Sequence, residues 1–215
     1  RAAALGVDAV LVRTPSFFKN LMNADAFVQH YVAVAEESPV PVLLYNVTMY
    51  TGVTLPADAV GLLAEHPNVV GMKESGSDAS LLADYVARTS PHFFVLAGSG
   101  VTYFAGLMIG AQGGILALAG IVPDACAEIG DLVRAGRIDE ARALQRRLTP
   151  LARTIAGQHG VPALKAALDL MGFEGGPPRS PLRPTPRPVV VTLRRQLAEL
   201  GVPLVEPLPD EAEAH

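Results

Sequence analysis

A chain of 215 residues, half of them hydrophobic, is long enough to bury one large core, and most of it lacks the composition of a disordered segment. The formal net charge is −4 with acidic and basic residues interspersed, which excludes a nucleic-acid stripe or a polybasic membrane patch and makes a small molecule the expected partner. No apolar run approaches the roughly 18 residues that cross a bilayer, and a single cysteine, Cys126, excludes an internal disulfide framework, so a soluble protein of a reducing, cytoplasmic compartment is expected.

The first residues, Arg1 to Gly6, read as the last turn of a helix closed by a glycine. Such a start predicts a sequence that begins inside a domain, with any targeting signal beyond reach. A strand follows over Asp8–Val12, then a loop from Arg13 to Phe18. From Ala24 to Glu37, Phe27, Tyr31, Val34 and Ala35 recur at helical spacing, and Pro39-Val40-Pro41 ends that unit. The next run, Val40 to Asn46, is a buried-strand pattern that closes on the polar pair Tyr45-Asn46. Thr51-Gly52 is turn chemistry, and Leu55-Pro56-Ala57-Asp58 opens a helix to about Glu65.

The stretch Val69-Val70-Gly71-Met72-Lys73 is continuously apolar until its last residue. It reads as a fully buried strand with a lysine at its end. Two readings follow. An ammonium held at the lip of an apolar interior favours the neutral amine, a nucleophile toward ketones; alternatively, Lys73 simply snorkels to water. Tyr45 occupies the equivalent place on the preceding strand, where a phenol beside an amine relays protons during imine formation. Its other reading is a half-buried aromatic tethered by its hydroxyl.

After Lys73, Ser77 or Asp78 is the candidate cap of a helix to about Arg88. Phe93–Ala97 is a strand, Gly98-Ser99-Gly100 its loop, Thr102–Ile109 a helix and Gly113–Ala117 a last short strand. From Val122 onward only helices are expected: Pro123 to Arg134, Asp139 to about Gly157, Val161 to Gly172, and Val190 to Leu200 after a proline-rich connector from Pro177 to Pro188. An acidic tail closes the sequence. Residues 1–121 and 122–215 are therefore the expected domains.

Five strands alternating with helices predict a parallel sheet. An open dinucleotide-binding sheet would carry a glycine-rich phosphate loop, but Gly98-Ser99-Gly100 lacks the third glycine and no Walker pattern occurs. The expected fold is the last five units of a (β/α)8 barrel with a C-terminal helical extension, the first three units being absent from this sequence. In that architecture strand C-termini converge on one catalytic face. The five histidines show no ligand spacing, so no metal is expected.

Thr14-Pro15, Tyr45-Asn46, Thr51-Gly52, Lys73-Glu74-Ser75-Gly76-Ser77-Asp78, Gly98-Ser99 and Gly113-Gly114-Ile115 together resemble the dihydrodipicolinate synthase and N-acetylneuraminate lyase family, in family order. The resemblance implies a class I lyase or aldolase that needs no cofactor beyond a covalent imine on Lys73, with pyruvate or another 2-oxo acid as substrate. It implies that Tyr45 shuttles the proton, and that Gly98 and Ile115 bring backbone groups near the bound acid. The family's Thr-Thr carboxylate clamp belongs to an earlier strand. A homo-oligomer, dimer or tetramer, is also implied.

Departures from the family pattern narrow the choice. Tyr50 stands where dihydrodipicolinate-forming synthases place an arginine for the aldehyde's carboxylate, and a phenol cannot replace a bidentate guanidinium. Ser75 stands where aldolase and lyase branches place a hydroxyl near the acceptor, though cap chemistry is an equal reading. Phe17 replaces a tyrosine that usually reaches a neighbouring subunit's site. The segments His159–Lys165, Gly172–Pro177 and Arg179–Leu182 look most like 4-hydroxy-2-oxoglutarate aldolases. The alternatives are a 4-hydroxy-tetrahydrodipicolinate synthase, a sugar-acid lyase, or a non-catalytic keto-acid-binding protein.

Overall fold

The computed structural model describes residues 1–76 and 78–205; Ser77, one of the two candidate caps, and the acidic tail from residue 206 lie outside the described residues. The chain divides into two units, Arg1–Leu116 and a second from Ala117.

The first unit is a five-stranded parallel sheet in sequential order: β1 (Val10–Arg13), β2 (Val42–Asn46), β3 (Val69–Glu74), β4 (Phe94–Ala97) and β5 (Gly113–Gly114). The connecting helices are α1 (Ala24–Glu37), the single turn α2 (Thr48–Thr51), α3 (Ala57–Ala64), α4 (Ala79–Arg88) and α5 (Tyr103–Ile109). Parallel neighbours require such crossovers. Asn23 caps α1 by accepting the Ala26 N–H, and Asp78 caps α4 by accepting from Ser80 and Leu81. Gly6 and Gly52 close the first turn and α2 in left-handed conformation, at φ 84° and 67°.

Two elements differ from expectation for reasons of pairing. Strand β1 begins at Val10 rather than Asp8, because its partner β2 starts at Val42, opposite Val10. Strand β5 stops at Gly114, because β4 ends at Ala97 and offers partners only from Leu96 and Ala97.

The sheet's two faces differ sharply. Val42, Leu44, Val69, Met72 and Val95 point toward the helices and pack into one cluster with Phe27, Tyr31, Leu63, Leu82 and Tyr85. Leu11, Leu43, Gly71 and Phe94 are paired across the sheet on the other face, followed by Arg13, Tyr45, Lys73 and Leu96. This second face is more open; Phe94 is 50% and Leu11 39% exposed.

One irregularity sets which residues reach it. Val42 pairs with Val69 but Leu43 pairs with Gly71, so Val70 is an extra residue in β3. Without it Tyr45 would oppose Met72 and Lys73 would turn toward the helices, since a one-residue slip exchanges the faces of a strand. Gly71 then approaches β4 closely; a Cβ there would lie 2.5 Å from the Phe94 carbonyl oxygen.

The second unit is helical, with α6 (Pro123–Arg134), α7 (Ile138–Ala152), α8 (Gly160–Leu170) and α9 (Arg187–Glu199). Helix α6 packs on α7 and α8 on α9. Cys126 is a buried small residue, its thiol pushed up to about 11 by burial. The helix expected to run to about Gly157 ends at Ala152 and continues as a π-helical turn over Arg153–Gln158. Pro150 lacks the N–H that would bond back one turn, which loosens the helix where the wider turn begins. Among the described residues no helix is long and apolar enough to cross a membrane.

The asymmetry of the sheet is directly testable. Leu44→Ala, at a position with no exposure, is expected to cost about 2–5 kcal/mol in urea unfolding, and Leu43→Ala, on the open face, distinctly less. Equal losses would contradict the assignment of the faces.

Candidate active site

The C-terminal ends of β2 and β3 lie in register, Tyr45 opposite Lys73 and Asn46 opposite Glu74. Alternation therefore sends Tyr45 and Lys73 to the open face and Asn46 and Glu74 toward the helices. The Lys73 Nζ sits over the Tyr45 ring, 4.4 Å from its centroid. This is cation–π geometry, in which the electron-rich ring face attracts the ammonium.

Behind this pair lies a buried polar network that the sequence did not announce. Asn46 Nδ2 donates to Glu74 Oε2 at 2.6 Å, and Asn46 Oδ1 accepts the Leu55 N–H at 3.0 Å. The Leu55 N–H thereby fixes which way the Asn46 amide points. The other carboxylate oxygen of Glu74 accepts from the Gly76 N–H. Tyr85, from α4, donates its hydroxyl to the Leu55 carbonyl at 2.5 Å and lies 3.4 Å from Asn46 Nδ2. Burial pushes the Glu74 carboxyl above the ordinary carboxylate range, outweighing the two donors from Asn46 and Gly76 that favour its charge, while Asp78 nearby adds to the rise. Burial likewise pushes the Tyr85 phenol up, with the Glu74 charge adding to it. Asn46 and Glu74 are 28 residues apart and Asn46 and Tyr85 39, so only the tertiary fold joins them.

Gly98 follows β4 and forms a wall of the site. Its N–H donates to the Glu74 carbonyl at 2.6 Å. A Cβ at this position would collide with Ser75 Oγ and would lie 2.9 Å from Lys73 Cε. Only a glycine lets β4 come this close to the lysine stem. The Ser75 hydroxyl is buried here without a hydrogen-bond partner among the described residues, as is that of Thr14 just after β1. Buried hydroxyls without partners are uncommon, and each calls for a physical reason; Thr185 and Gln196 in the helical unit hold two more such polar atoms. The Ile115 N–H donates to the Ala97 carbonyl at 2.9 Å, which carries the wall one strand further.

Lys73, Tyr45, Ser75 and Gly98 are thus gathered at the ends of three adjacent strands. Tyr50 and Phe17 stand apart: Tyr50, on α2, is 68% exposed, and Phe17, in the loop after β1, is 89% exposed and stacked edge-on against Phe18. A cavity of about 60 Å³ beside Glu74 is lined by Asp78, Leu82, Ala97, Gly98 and Gly106, so that Gly98 borders both it and the lysine stem. Among the described residues no group of three or more His, Cys, Asp or Glu side chains gathers as a metal site would require.

The model of the dihydrodipicolinate synthetase family matches residues 1–199. The chain belongs to that family. Over 184 residues it is 36% identical to a protein of Exiguobacterium sp. named 4-hydroxy-tetrahydrodipicolinate synthase, covering 86% of this chain and 62% of the relative. Over 181 residues it is 38% identical to an Emericella nidulans protein named "Probable 4-hydroxy-2-oxoglutarate aldolase, mitochondrial", covering 84% of this chain and 58% of the relative. The chain spans about 60% of the length of these relatives. Among solved structures, dihydrodipicolinate synthase from Thermotoga maritima superposes with a TM-score of 0.86 at 30% identity, over 94% of this chain and 69% of that one. A monomeric dihydrodipicolinate synthase variant superposes with a TM-score of 0.87 at 30% identity, over 94% and 68%. The sheet and its crossovers are accordingly five βα units of the (β/α)8 barrel of the dihydrodipicolinate synthetase family.

The Glu74 network makes a prediction about stability. The folded state holds the Glu74 proton more tightly than the unfolded chain does, so stability is greatest below the ordinary carboxylate range and falls as pH rises through the raised value. Glu74→Gln removes that slope, and its amide turns a donor toward Gly76 or Asn46, at a cost of about 1–3 kcal/mol at acidic pH. Denaturant unfolding at a series of pH values reads both. An unchanged slope in the variant would contradict the network's role.

Proposed function

We propose that this chain carries the imine-forming centre of a class I aldolase or lyase that acts on a 2-oxo acid. The observation that carries the reading is the Lys73–Tyr45 pair, in register at the strand ends with Nζ over the ring. Membership in a family whose relatives bear aldolase and synthase names supports it.

In this mechanism the neutral Lys73 amine attacks the C2 ketone of a 4-hydroxy-2-oxo acid and water leaves, forming a protonated imine. The electrons of the C3–C4 bond then flow into that iminium while the C4 hydroxyl loses its proton through Tyr45, and an aldehyde departs. The enamine that remains takes a proton at C3. Hydrolysis returns the amine and pyruvate. The iminium is the electron sink, and no step calls for a metal or a second cofactor. In this reading the Ser75 hydroxyl, without a partner among the described residues, meets the aldehyde half, and the Gly98 and Ile115 backbone lines the keto-acid half. Phe17 offers no hydroxyl, so the proton relay runs through Tyr45 and water.

The specific reading is a 4-hydroxy-2-oxoglutarate aldolase, supported by the likeness to the Emericella nidulans protein. A 4-hydroxy-tetrahydrodipicolinate synthase using the same lysine is supported by the likeness to the Exiguobacterium protein. Tyr50 in place of that branch's arginine weighs toward the aldolase. Pyruvate release from 4-hydroxy-2-oxoglutarate, set against condensation of pyruvate with aspartate semialdehyde, separates the two. Self-association into a dimer or tetramer is part of the same proposal, and the exposed Phe17 and Phe18 rings are available surface for it.

Borohydride reduction in the presence of pyruvate is expected to add one reduced pyruvyl group, mapped to Lys73 and not to the other two lysines, Lys19 and Lys165. An unmodified Lys73 would leave only keto-acid binding without catalysis. Tyr45→Phe keeps the ring beneath Nζ and loses the hydroxyl, so trapping persists while kcat falls by about 10²–10⁴. A kcat equal to that of the parent protein would remove Tyr45 from proton transfer.

A further inference from the structure

Glu74 is buried at the end of β3, and its carboxyl reaches two other parts of the chain at once. One carboxylate oxygen accepts from Asn46 Nδ2 at 2.6 Å, and the other accepts the Gly76 N–H. The Glu74 backbone carbonyl accepts the Gly98 N–H at 2.6 Å, and the Ser75 N–H donates to the Asn46 carbonyl at 3.0 Å. Asn46 is the chain neighbour of Tyr45, Gly76 that of Ser75, and Glu74 itself that of Lys73. A single carboxyl is therefore tied to the neighbour of each side chain that the proposed chemistry uses. These contacts join the ends of β2, β3 and β4, the interior strands of the sheet, and none of them involves the edge strands β1 and β5.

The polarity of the network is fixed. Asn46 Oδ1 accepts the Leu55 N–H at 3.0 Å, which leaves Nδ2 to face Glu74, and the Tyr85 hydroxyl, 3.4 Å from Nδ2, donates to the Leu55 carbonyl. The two donors that face Glu74 require both of its oxygens as acceptors. Breaking the bond to Asn46 releases the backbone where Tyr45 leaves β2; breaking the bond to Gly76 releases the turn that carries Ser75. Misplacing a reacting group by about 1 Å costs as much as about 10²-fold in rate.

We infer that Glu74 is a positioning residue for the imine chemistry: through Asn46 it holds Tyr45, and through Gly76 it holds Ser75, at fixed places relative to Lys73. This rests on the reading of Lys73 as the imine-forming amine. Glu74 itself touches no substrate. Its contribution is to kcat, by keeping the proton-transfer hydroxyl where the reacting atoms pass, and not to the affinity for the 2-oxo acid.

The test exchanges the polarity of the pair in the full protein. In Glu74→Gln an amide N–H meets either Asn46 Nδ2 or the Gly76 N–H, and in Asn46→Asp a second carboxyl meets Glu74. With both substitutions together, the carboxyl now at position 46 accepts from the amide now at position 74, and the Leu55 and Gly76 N–H groups keep their acceptors. Sites are counted by borohydride trapping of pyruvate at Lys73 carried to completion, so that unfolded protein drops out of the comparison. Turnover is measured with whichever substrate the parent uses, 4-hydroxy-2-oxoglutarate or pyruvate with aspartate semialdehyde. Per trapped site, each single variant should lose about 10- to 100-fold in kcat with KM within a few-fold of the parent, and the combined variant should regain most of that loss. Adding Tyr45→Phe to Glu74→Gln should cost less than the product of the two separate losses, because the hydroxyl being positioned is already gone. If one single variant fails to fold, the other breaks the same bond from the opposite side. Parent-like kcat per trapped site in the single variants, a combined variant as slow as they are, or full multiplicativity with Tyr45→Phe would overturn the role of Glu74 alone. Failure of the parent protein itself to trap pyruvate would overturn the imine reading and this inference with it.

Discussion

The site depends on a register, and the register depends on one inserted residue. Val70 widens β3 by one position against β2, so that Lys73 rather than Met72 faces Tyr45. A shift of one residue would bury the lysine among Leu44, Val95 and Tyr85 and present a thioether to the open face. The hydrogen bond between Asn46 and Glu74, one residue beyond the pair, locks this alignment from behind. A buried carboxyl and amide satisfied by each other, Leu55, Gly76 and Tyr85 tolerate no slip, because sliding either strand would orphan polar groups in the interior.

The same arrangement separates two tasks between the faces of one sheet. On the helix side, apolar packing and a closed polar network hold the strand ends rigidly. On the open side stand the groups that the proposed imine chemistry uses: an amine over an aromatic ring, a glycine wall and a hydroxyl without a partner among the described residues. Scaffolds that fix reactive groups by buried hydrogen bonds to neighbouring residues lower the entropy of reaching a productive geometry. Here the fixed and reactive residues are sequence neighbours, Asn46 beside Tyr45 and Glu74 beside Lys73.

Much of this could be read from the sequence. Apolar runs ending in Tyr45-Asn46 and Lys73-Glu74 marked the strand ends, and prolines and glycines placed most helix boundaries within a residue or two. Alternating units identified the parallel sheet, and the motif order pointed to the family. What could not be read was whatever depends on one strand's position against another. The bulge at Val70 is invisible in a run of apolar residues. The length of β5 follows from where β4 stops, and the Glu74–Asn46–Tyr85 network joins residues 28 and 39 positions apart. Gly98 was legible as a family position, but its physical reason, the closeness of Ser75 and the Lys73 stem, is a tertiary contact. Arg13 looked like an ordinary loop residue until pairing with β2 extended β1 to include it.

The central claim is that strand register delivers one amine and one phenol to a bound keto acid. A crystal structure of the protein after reduction with pyruvate tests it most directly. The account predicts continuous density from the Lys73 Nζ to C2 of the pyruvyl group on the open face, with the Tyr45 hydroxyl within about 2.6–3.2 Å of the reacting atoms. Density on Lys19 or Lys165, or a pyruvyl group at Lys73 turned away from Tyr45, would contradict it.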